Sequence, residues 1–94
     1  LTGITIRLIY PPRRAADARR AAARLQAHGA KTDLVEVTDS GNDGFVGKAF
    51  VMTKYTSQFS IVASALKDIE PLSAAFGDTY AFNDGQQMNV WIAK

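Results

Sequence analysis

The strongest constraint on the fold lies in the first third of the chain, where an alternating strand pattern meets two prolines. Residues 4–10 place apolar side chains on both faces at a period of two, which is typical of a central strand. Pro11 and Pro12 end that strand because proline donates no ladder hydrogen bond. Residues 13–28 are rich in alanine and arginine, two of the best helix formers, and Gly29 suits the end of a helix. The pattern therefore predicts a strand followed directly by a helix.

The remaining periodicities predict three more strands and a second helix. The strands are expected at residues 32–38, 45–55 and 88–93. The second helix is expected from Thr56 until Pro71 breaks it, because apolar residues recur there at helical spacing. Residues 39–44 are dense in turn formers and predict a hairpin loop, and residues 72–76 predict a further short turn.

The predicted elements divide into two strand–helix–strand halves. This order of elements is that of the ferredoxin-like fold. We therefore predict a single α+β domain over residues 1–94, a ferredoxin-like βαββαβ fold. Its sheet is expected to be four-stranded and antiparallel in the order 4-1-3-2, with both helices on one face. The chain begins with Leu1 rather than methionine, which indicates a piece of a longer protein.

The residue types give little support for a catalytic, metal or cofactor site. The chain has no cysteine, and its single histidine, His28, stands near the end of a predicted helix without partner ligands in the pattern. The turn at Asp39, Asp43 and Gly44 lacks the acid that a calcium loop needs at its last position, where Phe50 stands. No glycine-rich phosphate loop lies between a strand and a helix. We therefore predict a protein that is not an enzyme and that uses no metal or cofactor.

The net charge of +2 conceals an uneven distribution along the chain. Residues 1–32 carry a net charge of +6, and residues 33–94 carry −4. On the outer face of the first predicted helix, basic side chains form a candidate secondary patch for phosphates or an acidic partner. The residues of this basic patch are Arg13, Arg20 and Arg24, beside Arg14. A solvated helix face that is rich in arginine is the alternative.

The sheet face opposite the helices is the main candidate binding surface. If the more apolar set of the first strand faces the helices, Arg7 and Ile9 face outward. The same alternation turns residues of the third and last strands to that side. The candidate binding residues are Arg7, Ile9, Phe50, Met52 and Trp91. An exposed aromatic and basic surface of this kind marks a contact with a ligand, a protein partner or a second copy of the chain, and cover by another domain is the alternative.

Several segments resemble bacterial cell-envelope modules. "ITIRLIY…ADARRAAARLQAHGAKTDLVEV" resembles the opening half of SPOR domains and of LytR-type C-terminal domains. "FVMTKYTSQFSIVASALKDIEPL" and "MNVWIAK" are similar to the later part of the LytR-type domain. The resemblance implies a non-catalytic module outside the cytoplasmic membrane, with a cell-wall glycan or an envelope protein as partner. In SPOR domains the glycan lies on the open sheet face.

Two other classes of function fit the predicted order of elements. An RNA-recognition-like domain has the same order, and residues 47–51 match its third-strand motif except at Lys48, which replaces one stacking ring. Such a domain would bind single-stranded nucleic acid. An ACT-like module, which regulates or dimerises, is the other alternative.

Overall fold

The computed structural model describes residues 1–37, 47–79, 82 and 85–92. Within these ranges the chain forms five strands and two α-helices. In chain order they are β1 (Thr5–Tyr10), α1 (Ala15–Ala27), β2 (Lys31–Glu36), β3 (Lys48–Val51), α2 (Thr56–Leu66), β4 (Ser73–Phe76) and β5 (Met88–Trp91). Short 3-10 turns at Pro12–Arg14 and Thr53–Tyr55 lead into the two helices. The predicted hairpin loop at residues 39–44 lies outside the described residues.

The strands form one mixed sheet in the order β2-β1-β5-β3-β4. β1 is parallel to both β2 and β5, and β3 is parallel to β4. The two halves of the sheet meet where β3 pairs with β5 in antiparallel fashion. The predicted four-stranded antiparallel sheet in the order 4-1-3-2 is therefore wrong, and the chain is not ferredoxin-like, although it belongs to the α+β class.

The error in the predicted topology comes from one short element. Residues 72–76 were expected to form a turn, but Ser73–Phe76 is a strand that pairs with β3. Helix α2 is therefore the crossover of a β3-α2-β4 unit, just as α1 is the crossover of β1-α1-β2. Such crossovers are right-handed as a rule, and two right-handed units running in opposite directions place their helices on the same sheet face. The contact between α1 and α2 agrees with this arrangement.

Helix α1 begins and ends close to where the sequence predicts. Its buried residues are Ala18, Ala21, Ala22 and Leu25, so small side chains let the helix lie close to the sheet. Gly29 has a φ of 95°, which favours glycine, and its N–H donates to the Gln26 carbonyl at 2.9 Å. The N–H of Ala30 donates to the Leu25 carbonyl at 3.0 Å. These two bonds form a Schellman motif, which confirms the predicted end of the helix.

The core lies between the two helices and one face of the sheet. The alternation in β1 is confirmed, because Ile6 and Leu8 are fully buried on the helix side. β3 is shorter than expected, and its buried residues Ala49 and Val51 face the same layer. The other strand residues named as outward-facing therefore lie on the opposite side of the sheet.

Candidate functional site

The sheet face away from the helices carries the predicted binding residues in rows. Residues in register on neighbouring strands lie side by side on one face. One row crosses the whole sheet and consists of Asp33, Arg7, Asn89, Phe50 and Ala75. The next row contains Val35, Ile9 and Trp91. We call the surface formed by these rows the sheet-face site.

The insertion of β5 changes which predicted residues are neighbours. The first and third strands were expected to be adjacent, and this is wrong because β5 lies between β1 and β3. Arg7 and Phe50 therefore flank Asn89 instead of contacting each other across a strand pair. Ile9 and Trp91 are direct cross-strand partners. The structure thus brings an aromatic ring from β3 and one from β5 to the same face as Arg7.

Met52 lies at one end of this face, directly after β3. Its N–H donates to the Gln87 carbonyl at 3.1 Å, and the Thr5 N–H donates to Gln87 Oε1 at 2.7 Å. An open groove of about 490 Å³ lies beside Met52. The other residues that line it are Thr53, Lys54 and Asp78.

An ion pair holds the Arg7 side chain along the sheet. Arg7 Nε donates to Asp33 Oδ2 at 2.8 Å, and the two residues are direct partners on β1 and β2. The Arg7 side chain is 20% exposed, and that of Asp33 is 45% exposed. The guanidinium group is therefore oriented across the face, with its carboxylate partner on the more exposed side.

The centre of the sheet-face site is more buried than the sequence predicts for an open sheet. Ile9 is 7% exposed, Asn89 is 6% exposed and Gln86 is 1% exposed. The Gln86 amide donates to Asn89 Oδ1 at 3.0 Å, which pairs two buried polar groups. Phe50 and Trp91 are half-buried. The alternation along the last strand predicts that Asn89 faces outward, but no local pattern in the sequence predicts that the Gln86 side chain contacts it.

Two arginines of the predicted basic patch are paired with acidic residues. Arg24 makes a bidentate ion pair with Asp68, with Nη2 at 3.0 Å from Oδ2, and its Nη1 donates to the Ala65 carbonyl at 3.1 Å. Arg20 donates to Asp17 Oδ1 at 2.9 Å and lies 3.9 Å from Asp68. Because Ala65 is in the last turn of α2, Arg24 satisfies a carbonyl that the helix leaves without a partner.

Arg14 extends this network to the residues directly after α2. Its Nε donates to Asp17 at 2.7 Å, its Nη1 to Glu70 at 3.1 Å and its Nη2 to the Ile69 carbonyl at 2.9 Å. The side chains of Arg14 and Glu70 are only 17% and 9% exposed. Arg13, the third residue of the predicted patch, is exposed. The arginines of α1 and its first turn therefore tie this helix to the end of α2.

These ion pairs shift the pKa values of the groups that form them. The hydrogen bond from Arg14 lowers the pKa of Asp17 below its ordinary value of 3.8. The hydrogen bond from Arg24 does the same to the pKa of Asp68, and Asp68 in turn raises the pKa of Arg24. Both carboxylates are therefore ionised at neutral pH and offset part of the positive charge on α1.

The described residues contain neither a metal-binding cluster nor a membrane-spanning helix. Among them, no group of three His, Cys, Asp or Glu side chains gathers where a metal ion would be held. Neither described helix is long and apolar enough to cross a membrane. His28 is exposed at the end of α1.

The fold is similar to a solved structure. The solution structure of the C-terminal domain of RV0431, a LytR-C-type domain protein, matches all of this chain and 75% of that chain. The TM-score is 0.66 at 13% sequence identity, so the likeness shows a shared fold. The resemblance to LytR-type domains in the sequence is thus supported at the level of fold. No protein-family model matches the sequence, and no curated protein matches it.

Proposed function

We propose that this chain is a non-catalytic binding module of a bacterial cell-envelope protein and that the sheet-face site contacts its partner. One observation carries the proposal. The strand register places Phe50, Asn89 and Arg7 in one row, with Trp91 and Ile9 in the next. Two half-buried aromatic rings and a guanidinium group therefore lie on one sheet face that the helices do not cover, around the buried amide of Asn89.

A cell-wall glycan is the ligand that this set of side chains suits best, with a protein partner as the second candidate. Sugar rings present apolar faces to aromatic rings and hydroxyl groups to polar side chains. Trp91 combines a large apolar ring with an N–H donor. One step further along the β3–β5 register, Lys48 stands opposite Trp91 and would attract acidic groups of the wall polymer.

Placement in the cell envelope rests on the resemblance of the sequence to envelope modules and on the shared fold. The LytR-C-type domain of RV0431 supports it because its fold extends over the whole of this chain. The RNA-recognition-like and ACT-like alternatives depended on a ferredoxin-like strand order. Since the sheet order is β2-β1-β5-β3-β4, they are not proposed.

A sedimentation assay with insoluble peptidoglycan tests the proposal. We expect the wild-type chain to pellet with the polymer and Trp91→Ala to reduce the bound fraction at least tenfold, because the ring is lost from the centre of the site. Ile61→Ala is the matched control, since Ile61 is an exposed apolar residue of α2, in the helix layer. Circular dichroism would verify that both variants fold. Equal binding by Trp91→Ala and wild type would contradict the proposal.

A further inference from the structure

The two edge strands of the sheet differ in how they are protected from other strands. β2 carries the charged residues Lys31, Asp33 and Glu36, which discourage strand pairing at an edge. β4 has the sequence Ser-Ala-Ala-Phe, with no charge and no proline, and its Phe76 is 44% exposed. Uncharged edges of this kind are the ones that accept a further strand.

The backbone of β4 has hydrogen-bonding groups directed away from the sheet. The Ser73 N–H donates to the Gly47 carbonyl at 2.9 Å, and the Gly77 N–H donates to the Val51 carbonyl at 3.0 Å. Residues 73, 75 and 77 therefore bond towards β3. By alternation, Ala74 and Phe76 direct their N–H and C=O groups outward. Across the described ranges, these outward groups have no hydrogen-bond partner.

We propose that β4 pairs with β4 of a second copy of this chain, antiparallel about a two-fold axis at Ala75. In this register Ala74 exchanges two hydrogen bonds with the partner's Phe76, and Phe76 does the same with the partner's Ala74. Ala75 faces its own counterpart in a non-hydrogen-bonded pair, where the Cα atoms approach to about 4.5 Å. The two sheets then form one continuous sheet.

The second copy is the fitting occupant because β4 is complementary to itself in this register. The large Phe76 lies opposite the small Ala74, and Ser73 lies opposite Gly77. No pair within residues 73–77 brings together like charges. The Phe76 ring already rests edge-on against Phe59, with the ring centroids 5.9 Å apart. Pairing would cover the exposed part of that ring, which favours association.

A cysteine placed on the proposed axis tests the pairing directly. The chain has no cysteine, so Ala75→Cys introduces a single thiol, and its distance from its counterpart in the dimer suits a disulfide. Leu34→Cys is the matched control, since Leu34 is 41% exposed on the other edge strand. Under mild oxidation we expect Ala75→Cys to become mostly covalent dimer while Leu34→Cys stays mostly monomeric. Equal cross-linking of both variants would overturn the proposal.

Sedimentation equilibrium gives an independent test without any covalent bond. The wild type should show a mass that rises with concentration towards that of a dimer. Phe76→Lys lies on the helix side of the sheet, outside the sheet-face site, and it removes the ring that pairing would cover and adds a charge to the edge. It should raise the dimer Kd at least tenfold, whereas Leu34→Lys should leave it unchanged. A wild type that stays monomeric at millimolar concentration, or a dimer that Phe76→Lys does not weaken, would overturn the proposal. The peptidoglycan sedimentation assay with Phe76→Lys tests the sheet-face site separately, because this variant leaves the residues of that site unchanged.

Discussion

At the scale of single residues, Arg14 holds together parts of the chain that lie far apart in sequence. It donates to Asp17 on its own helix and to Glu70 beyond the end of α2. The separation of 56 residues between Arg14 and Glu70 follows no spacing rule, so the sequence could not predict this pair. The sequence placed Arg14 on the outer face of its helix, and only the packing of the two helices reveals its partner.

Loss of the Glu70 carboxylate should destabilise the fold. Because Glu70 is almost fully buried against Arg14, Glu70→Gln leaves a desolvated guanidinium group with a weaker acceptor. We expect the free energy of unfolding to fall by about 1–3 kcal/mol. Urea denaturation measures this change. Glu36→Gln on the exposed edge strand is the control and should change stability by less than about 0.5 kcal/mol. Equal effects of the two substitutions would show that the buried pair adds no stability.

The ion pairs of α1 predict how stability depends on pH. The pKa of Asp68 is lower in the folded chain than its ordinary value of 3.8, so ionised Asp68 stabilises the fold above that pH. This contribution is lost as the pH falls through the lowered pKa. We therefore expect the melting temperature to drop below about pH 4. Asp68→Asn should have a lower melting temperature than the wild type at pH 7, and its melting temperature should fall less on acidification. Parallel curves of melting temperature against pH for the two proteins would contradict this.

At the scale of secondary structure, α1 could be predicted and β4 could not. The alanine and arginine run has high helix propensity along its whole length and ends at Gly29. Ser73–Phe76 has only four residues, two of them alanine, between Pro71 and Gly77. Alanine and serine are not strand formers on their own, so β4 exists because β3 lies beside it. Missing this strand led to the wrong sheet order.

The close approach of α1 to the sheet depends on its alanines. Ala21 has no exposed surface, whereas Ala23 on the same helix is exposed. Ala21→Leu forces extra volume into a packed interface and should lower the free energy of unfolding by about 1–3 kcal/mol. Ala23→Leu adds the same side chain on the solvent side and should be nearly neutral. Thermal denaturation of both variants distinguishes them, and a tolerated Ala21→Leu would mean that the interface is loosely packed.

At the scale of the whole molecule, alternation predicts which residues face outward but not how they are arranged. Arg7, Phe50 and Trp91 all lie on the predicted face, yet β5 separates the strands of Arg7 and Phe50. Strand order depends on long-range pairing, which local patterns do not encode.

The uneven distribution of charge along the chain has a structural explanation at this scale. Asp68 and Glu70, from the acidic part of the chain, compensate arginines of the basic part across the α1–α2 contact.

The two proposed surfaces would cooperate in a dimer. A two-fold axis perpendicular to a continuous sheet keeps both sheet-face sites on the same side, where one long glycan strand would reach both. The monomeric variant Phe76→Lys should therefore bind long glycan strands at least tenfold more weakly than wild type, but short soluble fragments equally well. Isothermal titration with both ligands measures this. An equal loss for short and long ligands would instead indicate damage to the site itself.

The most direct test of the sheet-face site is a titration of the isotope-labelled chain with soluble peptidoglycan fragments, followed by NMR. We predict that saturable shifts appear at the amides of Arg7, Phe50 and Asn89 and at the indole N–H of Trp91. The signals of Arg20 and Arg24, which lie in the ion-pair network of the helices, should stay unchanged. Shifts confined to the helix arginines, or no shifts at a millimolar concentration of the fragments, would contradict binding at the sheet-face site.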